Sequence, residues 1–235
     1  MYSYGQYCPV ARAAEVLAQR WTPLIVREVL AGTTRFNELE RGLPGISRSL
    51  LAQRLRELVG AGILEKTESA DGRAREYRLT PGGRELQRVF DSLGEWGARW
   101  AFGEPRPDEL DPALLLWFMR RHVRRERLPR RRVVVQFDFH GARRKSLWLV
   151  MDPTDVSVCA HHPGFDVDLL VTADVAALYR VWSGRVATAE AMRSGVIELD
   201  GPPALARAFW DWFALSPLAG AVRAATETAA GERRP

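Results

Sequence analysis

Residues 45–64 read GISRSLLAQRLRELVGAGIL, and the fold turns on how this stretch is understood. Ser47 offers an N-cap, with Gly60 and Gly62 as stop signals, so a helix is expected between them. At about 100° per residue, Leu51, Leu55 and Leu58 fall on one stripe, while Ser49, Ala52, Gln53 and Arg56 fall on the opposite face. The leucine side is made for a core. The other side carries small residues, an amide and a guanidinium. An ordinary surface helix would show the same division, so the neighbours decide what the polar face is for.

Upstream, Phe36 to Leu43 (FNELERGL) gives a short amphipathic helix and Pro44-Gly45 a break, so the order is helix, tight turn, helix. Downstream, Ile63 to Glu68 and Glu76 to Thr80 read as two short strands. Between them SADGRAR, Ser69 to Arg75, forms a hairpin tip with Asp-Gly turn chemistry and two arginines. A charged tip is often no more than a solvated turn. Placed behind a helix-turn-helix, it reads as a wing whose cations meet phosphate. The polar helix face suits a major groove, because Gln bridges adenine edges, Arg bridges guanine edges and small side chains permit close approach. The expected partner is double-stranded DNA.

The chain has 235 residues, enough for two domains, and 46% hydrophobic residues, enough for real cores. Its net charge of +5 favours an anionic partner. Lysine occurs only at Lys66 and Lys145, so arginine abundance is partly a bias of composition. No apolar run reaches the ~18 residues of a membrane span, and MYSYGQYCPV lacks the basic and apolar regions of a signal peptide; a cytoplasmic location without membrane contact is expected. Two cysteines, Cys8 and Cys159, are too few for a disulfide framework or a structural zinc site.

Val10 to Leu30 carries apolar residues at helical spacing, but Pro23 makes two helices joined near Arg20 to Pro23 the better expectation. The ordered set CPVARAAEVLAQRWTPLIVREVLAG (Cys8 to Gly32), TRFNELERGLPGISRSLLAQRLRELVGAGIL (Thr34 to Leu64), the wing, and YRLTPGGREL (Tyr77 to Leu86) closely resembles the HxlR-type branch of the MarR-like winged helix-turn-helix transcription regulators, over about residues 7–100. The resemblance implies a homodimer on a palindromic operator, one recognition helix per half-site. It places Ser47, Arg48, Ser49, Gln53 and Arg56 in the major groove and Arg73 and Arg75 at the wing. Arg35, at the start of the preceding helix, is a candidate phosphate contact or simply a solvated helix end. Thr80-Pro81-Gly82-Gly83 opens a further helix. Along it Leu86, Val89, Phe90, Leu93, Trp96 and Trp100 form an apolar stripe, which the resemblance assigns to dimerisation together with the N-terminal segment; packing on a second domain is the alternative. Some HxlR-type regulators use a cysteine at the position of Cys8 as a redox sensor, whereas others carry it with no such role.

Gly103-Glu104-Pro105-Arg106-Pro107 is a Pro-rich break, giving expected domains of 1–103 and 108–225. Asp111-Pro112 opens a helix through Leu116, Phe118, Met119 and His122. It leads into Arg120, Arg121, Arg124, Arg125, Arg127, Arg130, Arg131 and Arg132, a run that could extend a DNA footprint, attract an acidic headgroup, or serve as a solvated helix face. From Val133 the period changes to two, through Phe139 and again at Leu147, Leu149 and Met151. Val156 to Cys159 and Asp168 to Thr172 are further strands. Val175 to Trp182 and Ala189 to Arg193 are helices, Val196 to Leu199 a last strand, and Pro203 to Phe213 a helix. The class is α+β.

The stretch DVDLLVTADVAALYRVWSGRVATAEAMRSGVIELDGPPALARAF, Asp166 to Phe209, resembles the sterol carrier protein 2 family, whose members hold lipids or other apolar molecules between sheet and helices. The resemblance implies an apolar small-molecule effector, with Phe137, Phe139, Leu149, Leu178, Trp182, Met192, Trp212 and Phe213 as candidate lining. The same stripes suit plain core. No glycine-rich phosphate loop, nucleophile elbow or HExxH helix appears, and Cys159, His161 and His162 lack further ligands at suitable spacing. Neither enzymatic chemistry, a cofactor nor a metal is expected.

Overall fold

The computed structural model describes residues 3–69, 74–141 and 144–231, with the side chains of 229–231 left aside. Contacts divide the chain into two compact units, Met1–Leu93 and Gly94–Pro235. The division falls inside a helix, ahead of the Gly103–Pro107 break read from the sequence. Local packing explains this, since Gly94 admits the Leu218 side chain against its backbone and Ala98 is buried.

The first unit begins with α1 (Pro9–Leu17) and α2 (Thr22–Leu30). The turn between them is made by Trp21, whose φ of 76° is the only positive value at a non-glycine position among the described residues. A bulky residue in the left-handed region costs about 1–3 kcal/mol. The following α3 (Phe36–Gly42) and α4 (Arg48–Gly60) are the expected helix pair. Ser47 caps α4 by accepting the Leu50 N–H. Gly62, at φ 70°, ends it: its N–H reaches the Val59 carbonyl and the Ile63 N–H reaches Leu58, two orphan carbonyls satisfied as the chain turns into a strand.

Strands β1 (Leu64–Glu68) and β2 (Arg75–Leu79) pair antiparallel from Leu64↔Leu79 to Glu68↔Arg75. Leu51, Leu55 and Leu58 of α4 are buried with Ile25, Val26, Leu39, Leu43 and Leu64 in one core. Helix α5 (Pro81–Trp100) starts on Thr80, whose hydroxyl accepts the Gly83 N–H and donates to the Gly62 carbonyl. Gly83 is required there, because a Cβ would lie 2.1 Å from the Ile63 carbonyl oxygen.

The second unit is a layer of helices on one sheet. Helix α6 (Pro112–Arg120) is capped by Asp111, which accepts the Ala113 and Leu114 N–H groups. Strands β3 (Val133–His140), β4 (Lys145–Met151), β5 (Val156–Cys159), β6 (Leu169–Asp174) and β7 (Ile197–Asp200) form a sheet in the order β5-β4-β3-β6-β7. The central β3 pairs antiparallel with β4 and parallel with β6. Helices α7 (Val175–Trp182) and α8 (Thr188–Arg193) connect β6 to β7, and α9 (Pro203–Ala208) follows. The odd-numbered residues of β3, from Val133 to Phe139, share a core with Leu115, Leu116, Met119, Leu178, Phe209 and Trp212. The class is α+β, as the change of period indicated.

A final helix, α10 (Ala219–Gly231), was not foreseen. Its alanines and glycines make no wide apolar stripe; Ala219 and Val222 alone anchor its buried side, and Gly184 approaches Ala219 closely. The expected helical arginine face beyond His122 is also corrected. Helix α6 stops at Arg120, and the arginines beyond it lie on a short 3₁₀ turn, Arg125–Arg127, and irregular chain. Pro129 cannot continue a helix, and the Arg124 N–H is already taken by the Trp212 carbonyl at 2.7 Å.

Candidate nucleic-acid interface

Three buried leucines fix the orientation of α4, so its other face must point to solvent. Ser47, Arg48, Ser49, Gln53 and Arg56 are all exposed, and for Ser49, Gln53 and Arg56 this follows from the helical spacing. They differ in availability. Arg56 forms no hydrogen bond or ion pair among the described residues, and Gln53 donates to the Glu57 carboxylate at 2.9 Å. Ser47 and Ser49 hydroxyls lie 3.2 Å apart at the helix start. Arg48 is held back: it pairs with Glu40, donates to Asn37 Oδ1 and lies over the Phe36 ring. These contacts tie the start of α4 to α3.

Arg54 does the corresponding work on the other side. It pairs with Glu57 at 2.6 Å and donates to Gln19 and to the Arg20 carbonyl, fastening α4 to the α1–α2 junction. Burial opposes ionisation of Glu57, but the hydrogen bonds from Arg54 and Gln53, with the Arg54 charge, outweigh it and hold the carboxyl below its ordinary value. Sequence spacing indicated neither clamp, because the Arg48 bonds cross from one helix to the next and the bonds from Arg54 to Gln19 and Arg20 join residues far apart in the chain.

The wing is anchored by Glu76, which is only 7% exposed. Its carboxylate meets Arg35 Nε at 3.5 Å and Arg78 Nη2 at 2.8 Å. A single bridge, Arg35↔Glu76, and the bond from Tyr77 N–H to the Thr34 carbonyl join β2 to the chain just before α3. Arg35 therefore stands at the wing base, half exposed, with one side committed to Glu76. Arg75 is exposed at the start of β2. Arg73, the other expected wing contact, lies outside the described residues. Glu76 is a positioning residue that sequence reasoning missed; a lone glutamate on a strand gives no sign that it will be buried between two arginines.

On α5, the apolar residues separate into two sets. Leu86 and Phe90 pack on the first unit's core, whereas Val89, Leu93, Trp96 and Trp100 are 49%, 52%, 59% and 71% exposed. The latter recur at steps of four, three and four, which places them on one helical stripe. Tyr4, Tyr7 and Val10 of the N-terminal segment are exposed as well. That segment is held by Glu15, which accepts Tyr4 N–H at 2.7 Å, the Ser3 hydroxyl and Arg12. The Tyr4 hydrogen bond and then Arg12 hold the Glu15 carboxyl below its ordinary value. Cys8 is half buried at the N-cap of α1, its carbonyl accepting the Arg12 N–H.

In the second unit, seven of the eight candidate lining residues, Phe137, Phe139, Leu149, Leu178, Trp182, Trp212 and Phe213, are buried in one core, with Met192 packed against it. Phe137 stacks beside Phe139 at 6.0 Å and meets Phe209 at 6.2 Å; Phe213 meets Phe209 edge-on at 5.2 Å. The indole N–H groups of Trp182 and Trp210 are buried with no acceptor among the described residues. Among the described residues no helix is long and apolar enough to cross a membrane.

Residues 16–104 match the HxlR-like helix-turn-helix family. An HTH-type transcriptional regulator of Mycobacterium tuberculosis is 43% identical over 100 residues, 42% of this chain and 61% of that protein. The chain thus spans about three fifths of that relative's length. The HTH-type transcriptional regulator YvaP of Bacillus subtilis is 34% identical over 98 residues, 41% of this chain and 91% of that protein. The reduced form of the transcriptional regulator YodB from B. subtilis is 33% identical, with 41% of this chain and 96% of that one covered and a TM-score of 0.37. With its helix pair, its wing and an alignment that takes in nearly all of YvaP, the chain belongs to the HxlR-like helix-turn-helix family.

Proposed function

We propose that the protein is a dimeric, DNA-binding transcription regulator that docks α4 of each subunit into one half-site of a palindromic operator. The observation that carries this is the free outer face of α4: Ser49, Gln53 and Arg56 are exposed, and Arg75 stands on the adjoining wing. Arg56 and Gln53 read bases, while Arg75, Arg73 and Arg35 meet phosphates. Dimerisation is supported by the exposed stripe Val89, Leu93, Trp96 and Trp100, since four large apolar residues in one row call for a partner surface. Occupancy of an operator blocks a promoter, so repression is the default sign. A regulator of this kind acts in the cytoplasm and needs neither cofactor nor catalytic chemistry.

For the second unit, two readings follow from different observations. An apolar effector, as in the sterol carrier protein 2 likeness, is supported by the two unpartnered indole N–H groups, each a donor that a ligand acceptor would satisfy. Such a ligand regulates DNA binding only by favouring one dimer geometry, and about 1–3 kcal/mol of coupling suffices. A filled, structural or dimerising module is favoured by the packing of the candidate lining residues against one another. Native mass spectrometry, together with operator binding before and after lipid extraction, separates these. Footprinting on the gene's own upstream region tests the central claim: two protected half-sites about one helical turn apart are expected, and uniform protection would refute it.

A further inference from the structure

We propose that the arginine segment 120–132 of the second unit is an additional phosphate-binding surface for duplex DNA. This rests on the DNA-binding reading above and extends it beyond the winged helix. The segment holds eight arginines against one glutamate, a net charge of +7, whereas the whole chain carries +5. The remaining residues therefore carry −2 between them, so the protein's net positive charge comes from this segment.

The backbone beneath this charge is fixed. The Arg124 N–H donates to the Trp212 carbonyl, the His122 carbonyl accepts the Ala214 N–H, and the Val134 N–H is held by the Asp168 carboxylate at 2.8 Å. Three arginines serve as braces: Arg125 bonds the Thr154 carbonyl, Arg131 pairs with Asp168 and Arg132 pairs with Asp152. Arg124, Arg127 and Arg130, spaced three apart, are exposed and make no ion pair among the described residues. Val123 and Leu128 turn into the core, so the segment offers cations without an apolar residue to insert into lipid. Three exposed guanidiniums on a fixed backbone, with no ion pair among the described residues, suit a phosphate backbone, which accepts forked N–H donors.

The test uses the full chain and its Arg124→Ala/Arg127→Ala/Arg130→Ala variant, with a long duplex spanning the footprinted region and its flanks and a random duplex of equal length. Three lost phosphate contacts reduce the slope of log affinity against log salt by about 2.7, equivalent to about 100-fold at about 0.15 M salt, on both duplexes. The triple Lys variant recovers most of the slope, since it restores charge. The altered side chains make no hydrogen bond or ion pair among the described residues, so the melting temperature stays unchanged; should it fall, Arg127→Ala alone replaces the triple variant, with an expected slope change of about 0.9. An unaltered slope in the variant, with the wild type still strongly salt-dependent, overturns this proposal alone. Wild-type chain that shows no salt-dependent duplex binding overturns the DNA-binding reading itself. Loss of binding to phosphatidylserine vesicles with an unchanged DNA slope reassigns the segment to a membrane and likewise overturns it.

Discussion

Arg56→Ala separates base reading from folding more cleanly than any other change on α4. Arg56 is exposed and makes no hydrogen bond or ion pair among the described residues, so its removal breaks none of the bonds described above. Alanine is also the better helix former by a few tenths of a kcal/mol, and exposed substitutions of this kind stay within about 0.5 kcal/mol. Stability is therefore expected to be unchanged. If the guanidinium makes a forked contact with a guanine edge, its loss costs about 1–3 kcal/mol, or about 5- to 160-fold in affinity for the operator. Random duplex, where only the phosphate attraction is lost, weakens much less. Arg54→Ala is the contrasting variant: it removes the bonds to Glu57, Gln19 and the Arg20 carbonyl. About 1–2 kcal/mol of stability is expected to go with them. The assay is fluorescence anisotropy on operator and random duplexes beside urea unfolding of each variant. Equal losses on both duplexes for Arg56→Ala, or a fall in its unfolding midpoint, would refute the assignment.

Three further outcomes are expected. Glu76→Gln discharges the acid between Arg35 and Arg78 and frees two cations at the wing base, so random-duplex affinity rises and its salt dependence steepens; a weaker, flatter response would show that Glu76 acts by shaping the wing. Glu15 and Glu57 both have lowered carboxyl values in the folded state, so their stabilisation is complete above the usual carboxylate range and is lost as pH falls through the lowered values. Melting temperatures between about pH 6 and about pH 3 should therefore fall less steeply for Glu57→Gln than for the wild type, and parallel curves would contradict this. Trp96→Glu places a charge in the exposed α5 stripe and is expected to shift the dimer to monomer in analytical ultracentrifugation with the fold retained; an unchanged sedimentation coefficient would remove that stripe from the interface.

Much of this architecture is written in local pattern. Ser47, the three leucines and Gly62 specify α4 to within a residue or two, because cap, stripe and stop signal all act within one helix. The wing strands and the odd-numbered apolar residues of β3 were equally plain. What escaped was set by residues distant in sequence. Glu76 becomes an anchor only because Thr34 and Arg35 lie beside β2, Arg48 is clamped, though still exposed, only because Asn37 and Glu40 of the preceding helix face it, and α10 has too weak a stripe to declare itself. Sequence placed the candidate reading residues on one surface, but it could not tell a free guanidinium from a clamped one.

The absent side chain at Gly83 also has a mechanical meaning. Helix α5 rests its first turn against the Ile63 carbonyl with no room for a methyl group, so the strand end of the wing acts as its seat. A helix of 20 residues is about 30 Å long, and a tilt of about 5° at that seat sweeps its far end through about 2.6 Å. A side chain at residue 83 would push that first turn off the carbonyl, so the tightness of the joint sets the direction in which α5 leaves the wing.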